Sequence, residues 1–196
     1  QRGGRRAQPA VDHVRIGGQG VVSLSSVIAR AATKQGVQIS VIDRPRSAMR
    51  LGPITCDLRF GAPDYAAFIP AGNADAVLAL EPLDGALNAA RLLKKSGTLL
   101  LNAAETPAID ELVSGERDKR REEWVTLVLR RGAAVLRVDA SVEAERVTGS
   151  AVNANFLLLG VLCRAEKRFP VLPESLLGEL KGGALAAFEA GLAYAR

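Results

Sequence analysis

The chain has 196 residues, of which 48% are hydrophobic and 24% charged. That size and balance fit one folded α/β-sized domain and exclude disorder, collagen-like repeats and mucin-like stalks. The net charge of +5 includes Arg2, Arg5 and Arg6 of a glycine-rich leader, so the body carries only about +2; with aromatics at 4%, neither a nucleic-acid footprint nor a stacking platform for bases is expected.

The longest apolar run, Phe156 to Cys163, is broken at Arg164 and falls well short of the roughly 18–20 residues of a membrane span, so no span is expected. The thiols are Cys56 and Cys163 and the one histidine is His13. A structural zinc or an iron–sulfur cluster needs about four thiolate or imidazole ligands, so this chain alone builds neither, and a reducing, cytoplasmic setting is the simplest reading. Residues 1–10, beginning at Gln1 without Met and without a signal-type apolar segment, read as a flexible, trimmed leader ahead of one domain over residues 11–196.

In chain order, Val11 to Ile16 predicts a strand, Gly17-Gly18-Gln19-Gly20 a turn, and Val21 to Thr33 a helix with Val21, Leu24, Ile28 and Ala32 on one face. Gly36 ends the helix and Val37 to Ile42 predicts a second strand, so a right-handed βαβ unit opens the domain. Asp43 to Pro53, with Arg44, Arg46 and Arg50, is a loop at the carboxyl end of a parallel strand. Ile54 to Phe60 predicts a strand whose antiparallel hairpin partner is Tyr65 to Ile69, and Pro70 to Asn73 breaks the chain.

A second βαβ unit follows: strand Ala76 to Leu80, helix Leu83 to Lys95 with Lys94 and Lys95 at its negative end, a stop at Gly97, and strand Thr98 to Asn102. Pro107 starts a helix, Glu116 to Glu123 is a solvated helix end or loop, and Trp124 to Leu129 fits helix or strand. Ala134 to Val138 is the last strand, and every pattern from Asp139 to Arg196 is helical. The alternation defines an α/β fold with a single doubly wound, mostly parallel, Rossmann-like sheet, helices on both faces and a helical C-terminal end.

The glycine turn stands where a dinucleotide fingerprint would stand, yet Arg15 replaces its first glycine, and Asp43 is the one candidate to grip a ribose hydroxyl. Three readings stay open for that turn: nucleotide binding, a structural turn and a protein-interface loop. His13, beside Asp12, has none of the spacings that recruit a base or ligand and reads as structural, while Glu81, Glu105 and Asp139 read as caps and turns. No nucleophile elbow or P-loop occurs.

Several ordered segments carry a resemblance. They are Ile16-Gly17-Gly18-Gln19-Gly20-Val21-Val22, Met49-Arg50-Leu51-Gly52-Pro53-Ile54, Leu58-Arg59-Phe60-Gly61, Ala74 to Pro82, Gly97 to Asn102, Val138-Asp139-Ala140, Asn155 to Gly160 and Ala187 to Gly191. Taken together over residues 11–196, the chain resembles the gamma-type domain of the 2-oxoacid:ferredoxin oxidoreductases, most strongly the small beta subunit of the indolepyruvate branch.

The resemblance implies a complex that decarboxylates a 2-oxoacid on magnesium-bound thiamine diphosphate, passes electrons through iron–sulfur clusters to ferredoxin or another acceptor, and forms an acyl-CoA. It assigns those cofactors to larger partner chains, in accord with the two cysteines and the lack of a Gly-Asp-Gly stretch here. It implies for this chain an accessory role, with no catalytic residue, no metal ligand, and cofactor-facing residues Gly17, Gly18, Gln19, Gly20, Arg50, Gly52 and Asn155. Two departures stand out: Arg50-Leu51-Gly52 replaces Arg-Gly-Gly, and Arg15 replaces the leading glycine of Gly-x-Gly-Gly-Gln-Gly. Leucine does not readily take the φ > 0 conformations open to glycine, so the substrate is read broadly as an aryl 2-oxoacid of the indolepyruvate, phenylpyruvate or phenylglyoxylate type. A free-standing nucleotide-binding protein and a purely structural docking subunit are the alternatives.

Overall fold

Short apolar runs alternating with helical spacings organise the chain, and the computed structural model describes residues 13–18, 20–44, 54–61, 68–103 and 120–194. Six strands, β1 (His13–Gly17), β2 (Ile39–Arg44), β3 (Thr55–Phe60), β4 (Ala74–Ala79), β5 (Leu93–Asn102) and β6 (Ala134–Val138), form one sheet in the order β2-β3-β1-β4-β5-β6. β1, β4, β5 and β6 pair in parallel, and β3 runs antiparallel to β1 and β2. The helices among the described residues are α1 (Val21–Lys34), α2 (Pro82–Leu92), α3 (Arg120–Arg130), α4 (Ala140–Thr148), α5 (Ala154–Ala165), the short α6 (Pro173–Leu177) and α7 (Gly182–Ala193). None is long and apolar enough to cross a membrane.

Period-two alternation divides the strand side chains between two faces. On the first face, Val14, Ile16, Cys56, Leu58, Leu78 and Leu100 pack against α1, α5 and α7. Helix α5 is buried on all sides from Ala154 to Cys163, as a helix apolar all round must be, because it lies between the sheet and α7. On the second face, Val77, Leu99 and Leu101 pack against Ala86 and Ala89 of α2 and Val125 and Val128 of α3.

The doubly wound architecture therefore stands, with one refinement and two local corrections. The opening unit keeps β1 and β2 parallel, but they are not neighbours, because between them is inserted the antiparallel β3. Its ladder places Asp57 directly opposite Arg15, and a cross-strand pair of opposite charge stabilises that register. The expected hairpin partner over residues 65–69 finds no free edge on β3, which β1 and β2 already occupy; Phe68 and Ile69 lie outside any strand, and residues 65–67 lie outside the described residues. Helix α2 ends at Leu92 instead of Lys95, because Leu93 joins the ladder opposite Ala74 and the Lys94 ammonium sits 2.7 Å from Asp75 Oδ1. Lys94, Lys95 and Gly97 consequently belong to β5.

The segment Trp124 to Leu129, which fitted either element, is helical within α3. The helix start at Pro107, Glu105 and the loop over residues 45–53 lie outside the described residues.

Candidate functional site: a glycine joint beside a buried charge cluster

The carboxyl ends of β1 and β4 meet the start of β3 at the glycine turn. Gly17 accepts from the Leu80 N–H at 2.8 Å, and the Gly18 N–H donates to the Ile54 carbonyl at 3.2 Å. Gly18 has φ +119°, and a Cβ there would lie 2.7 Å from both the Glu81 nitrogen and Leu80 Cβ. Gly20, with φ +75°, is the N-cap of α1, and a Cβ on it would come within 2.6 Å of Asn155 Nδ2. Only glycine satisfies both the left-handed conformation and the close approach, so the turn is a tightly closed joint between the sheet and two helices.

Asn155 completes that joint. Buried to 4% exposure, its amide donates to the Gly20 carbonyl at 3.2 Å while its oxygen accepts from the Phe156 N–H at 2.9 Å, tying the start of α5 to the start of α1. A second asparagine acts in the same way one strand along: Asn102 Nδ2 donates to Ser141 Oγ at 2.8 Å, and Asn102 Oδ1 accepts from the Ser141 N–H at 3.3 Å, which fastens α4 to the end of β5. Glu81 caps α2 by accepting from Leu83 and Asp84 N–H groups at 3.1 and 2.7 Å, as its position after a strand implied. Asp139 holds the N-cap position of α4 without a side-chain capping bond.

Of the seven residues assigned to cofactor contact, the fold thus brings Gly17, Gly18, Gly20 and Asn155 together. Gln19, Arg50 and Gly52 lie outside the described residues. Asp43 is the penultimate residue of β2, and β3 is interposed, so it stands two strand spacings, about 10 Å, from β1 and does not occupy the ribose-gripping place of a dinucleotide fold. His13 anchors the start of β1, its N–H donating to Asp75 Oδ2 at 3.0 Å.

Directly behind the joint, on the second face, lies a buried ionic cluster. Asp57 is fully buried; it takes a bidentate contact from Arg15 (Nε to Oδ1, and NH2 to Oδ2 at 2.8 Å) and an Arg44 contact at 3.0 Å. Arg15 also donates to Asn88 Oδ1 of α2 at 3.1 Å, and the Arg44 guanidinium lies 4.2 Å from the centre of the Phe68 ring, a cation–π contact. Arg15 therefore works as one half of a paired cluster rather than simply as a missing glycine. A sequence signal for it exists: Thr55, Asp57 and Arg59 alternate with Cys56, Leu58 and Phe60, placing the polar set of β3 on one face.

The donor set decides which cofactors the chain can hold. Burial, reinforced by a hydrogen bond to Asp43, pushes the Cys56 thiol up to about 12, and burial does the same for Cys163. Both thiols are protonated at neutral pH, so neither is poised as a nucleophile or ligand. No group of three or more histidine, cysteine or carboxylate side chains converges among the described residues. With two cysteines and one histidine in all, the chain does not fit an iron–sulfur cluster of its own.

The site thus consists of a doubly wound sheet with a glycine joint at its carboxyl edge and a buried ionic cluster behind it. Over residues 15–194 the chain matches the family model described as pyruvate ferredoxin/flavodoxin oxidoreductase, and it belongs to that family. An indolepyruvate oxidoreductase subunit, IorB, from Archaeoglobus fulgidus is 34% identical over 76% of this chain and 73% of its own length. Among solved structures, the pyruvate oxidoreductase subunit PORC from Thermotoga maritima superposes with a TM-score of 0.61 at 20% identity, covering 93% of each chain. The 2-oxoglutarate:ferredoxin oxidoreductase from Magnetococcus marinus, solved with 2-oxoglutarate, coenzyme A and succinyl-CoA bound, gives 0.62 at 16% identity, covering 96% of this chain and 31% of that one. These homologues are subunits or parts of oxidoreductase complexes, and the fold is theirs.

Proposed function

We propose that this chain is the accessory, non-thiamine-binding subunit of an oxidoreductase that converts an aryl 2-oxoacid, of the indolepyruvate, phenylpyruvate or phenylglyoxylate type, to an acyl-CoA with ferredoxin or a similar acceptor. The observation that carries this reading is a family match spanning residues 15–194 in a chain whose two buried thiols are too few to build a cluster. Thiamine diphosphate, magnesium and the iron–sulfur clusters are then held by larger partner chains. The aryl preference takes its support from the IorB relatives, and the cytoplasmic setting from the two unpaired thiols.

Within that complex, the carboxyl edge of the sheet that carries the glycine joint is the side of this subunit turned toward CoA, and Arg50 is the side chain assigned to CoA contact. Two features support this: open α/β sheets meet ligands at the carboxyl ends of their strands, and arginine suits phosphate groups because its fork donates two parallel bonds. The role of this chain is to shape and close that side while the chemistry proceeds on the partner.

The deciding experiment is reconstitution with the larger subunit, followed by CoA-dependent oxidation of the three oxoacids with an artificial one-electron acceptor. The isolated chain should be inactive and colourless, and the complex yellow-brown and active. In the complex, Arg50→Ala should raise the apparent KM for CoA on the order of tenfold to a hundredfold without dissociating the subunits. Tight binding of NAD or FAD by the isolated chain would favour a free-standing nucleotide-binding protein, and unchanged CoA kinetics would leave a docking role alone.

A further inference from the structure

Helix α1 is fastened at each end by a side-chain amide, and the two ties differ in kind. At the C-terminal end the helix provides its own: Gln35 Nε2 donates to the Pro170 carbonyl at 2.8 Å, and Gln35 Oε1 accepts from the Leu172 N–H at 2.9 Å. At the N-terminal end it provides none. Gly20 holds the N-cap position in the left-handed conformation, with no side-chain capping bond, and Gly17 and Gly18 precede it. Backbone built this way has freedom to lose, and nothing of its own to fix it.

Asn155 supplies the missing tie from α5. The Gly20 carbonyl accepts two hydrogen bonds, the first of the helix from the Leu24 N–H at 3.1 Å and one from Asn155 Nδ2 at 3.2 Å. The amide is oriented for this, because its oxygen already accepts from the Phe156 N–H at 2.9 Å, so a donor and not an acceptor faces Gly20. The space a Cβ would fill on Gly20 is what admits the amide. At 4% exposure, with both amide ends engaged inside the chain, Asn155 is placed to hold the turn and not to meet a ligand.

We propose that Asn155 is a positioning residue: it makes no contact with CoA and acts through Gly20, whose carbonyl it holds so that the first turn of α1 keeps the orientation that the CoA-facing edge requires. This inference rests on the accessory-subunit reading above and adds the residue that sets that edge from inside the fold.

Two measurements on wild type, Asn155→Ala, Asn155→Asp and Gln35→Ala test it. In the isolated full chain, hydrogen–deuterium exchange at the Leu24 amide, whose acceptor is the Gly20 carbonyl, should quicken on the order of tenfold in Asn155→Ala while Ile28 and Ala31 in mid-helix keep their rates. In the complex reconstituted with the larger subunit, the same variant should raise the apparent KM for CoA on the order of tenfold with kcat little changed. Asn155→Asp keeps the shape but turns a carboxylate oxygen on the Gly20 carbonyl oxygen, so both effects should be larger; if that variant does not fold, Asn155→Ala decides. Gln35→Ala frees the opposite end of α1 and should lower the thermal midpoint while leaving Leu24 exchange and CoA kinetics as in wild type, which separates positioning from a general loss of stability. A raised KM with unchanged Leu24 exchange would mean that Asn155 meets CoA directly, and quickened exchange with unchanged KM would mean a structural tie alone; either result overturns the proposal while the accessory reading survives. If the wild-type chain forms no CoA-dependent complex, both fall.

Discussion

The second face of the sheet holds two kinds of interior side by side. Over β4 and β5 it is made of Val77, Leu99 and Leu101 against alanines and valines of α2 and α3. Over β1 and β3 it is made of Arg15, Asp57, Arg44 and Asn88. The same helix, α2, covers part of each. The apolar half gains stability from area removed from water and tolerates modest trimming. The ionic half depends on complete pairing, because a buried charge without its partner costs far more than a lost methylene. The contrast also separates roles: the parallel, apolar half scaffolds the fold, and the half containing the inserted β3 specifies how the glycine joint is backed.

The largest test of this contrast is Asp57→Ala, which strands Arg15 in the interior and should cost about 3–5 kcal/mol in a urea titration. A triple replacement, Arg15→Met with Arg44→Leu and Asp57→Leu, sharpens the point: it should recover most of that loss if charge pairing is the cause. A triple variant as unstable as the single one would make packing the cause instead. On the first face, Ile28→Val trims a fully buried side chain and should cost only about 0.5–1.5 kcal/mol by the same titration.

Smaller still is the exposed pair Glu122–Arg137, worth less than about 1 kcal/mol after solvent screening. The Arg137 guanidinium bonded to Glu122 holds its carboxyl below the ordinary carboxylate range. Its contribution is therefore present above the unfolded-state value and is lost as pH falls through the lowered folded-state value. Wild type and Glu122→Gln, distinguishable at pH 7, should converge in stability once the pH has fallen below the lowered folded-state value. The smallest expected signal is at the cysteines: with Cys56 and Cys163 both pushed up to about 12, neither should react with a disulfide reagent at pH 8 until the chain is unfolded.

Much of this was readable from residue order. The runs at 76–80, 98–102 and 134–138 are apolar and bounded by turn residues, and Gly20 and Gly36 mark the ends of α1, so those elements and the winding of helices on both faces follow from periodicity alone. Strand neighbours do not. Thr55 to Phe60 reads as a strand wherever it sits, and its insertion between β1 and β2 is decided by a partner, Arg15, lying 42 residues away. The end of α2 is illegible for a related reason, since Lys94 suits the last turn of a helix equally well until the position of Asp75 is known. At the site, the turn-forming glycines are local and legible, whereas the closure of their joint by Asn155 is a property of tertiary packing, and its involvement was suggested by resemblance.

That closure has a consequence for how the chain is made. Asn155 meets Gly20 across a sequence separation of 135 residues. At a synthesis rate of about 5–20 residues per second, the asparagine emerges roughly 7–30 s after the turn that it closes. Until then α1 can pack its apolar stripe on β1, β2 and β3, but the side that meets α5 is uncovered and its N-terminal joint has no asparagine to close it. The glycine joint is thus a late-forming feature of a fold whose other contacts assemble earlier, and slowed delivery of α5 would leave a chain with most of its sheet in place and its carboxyl edge unsealed.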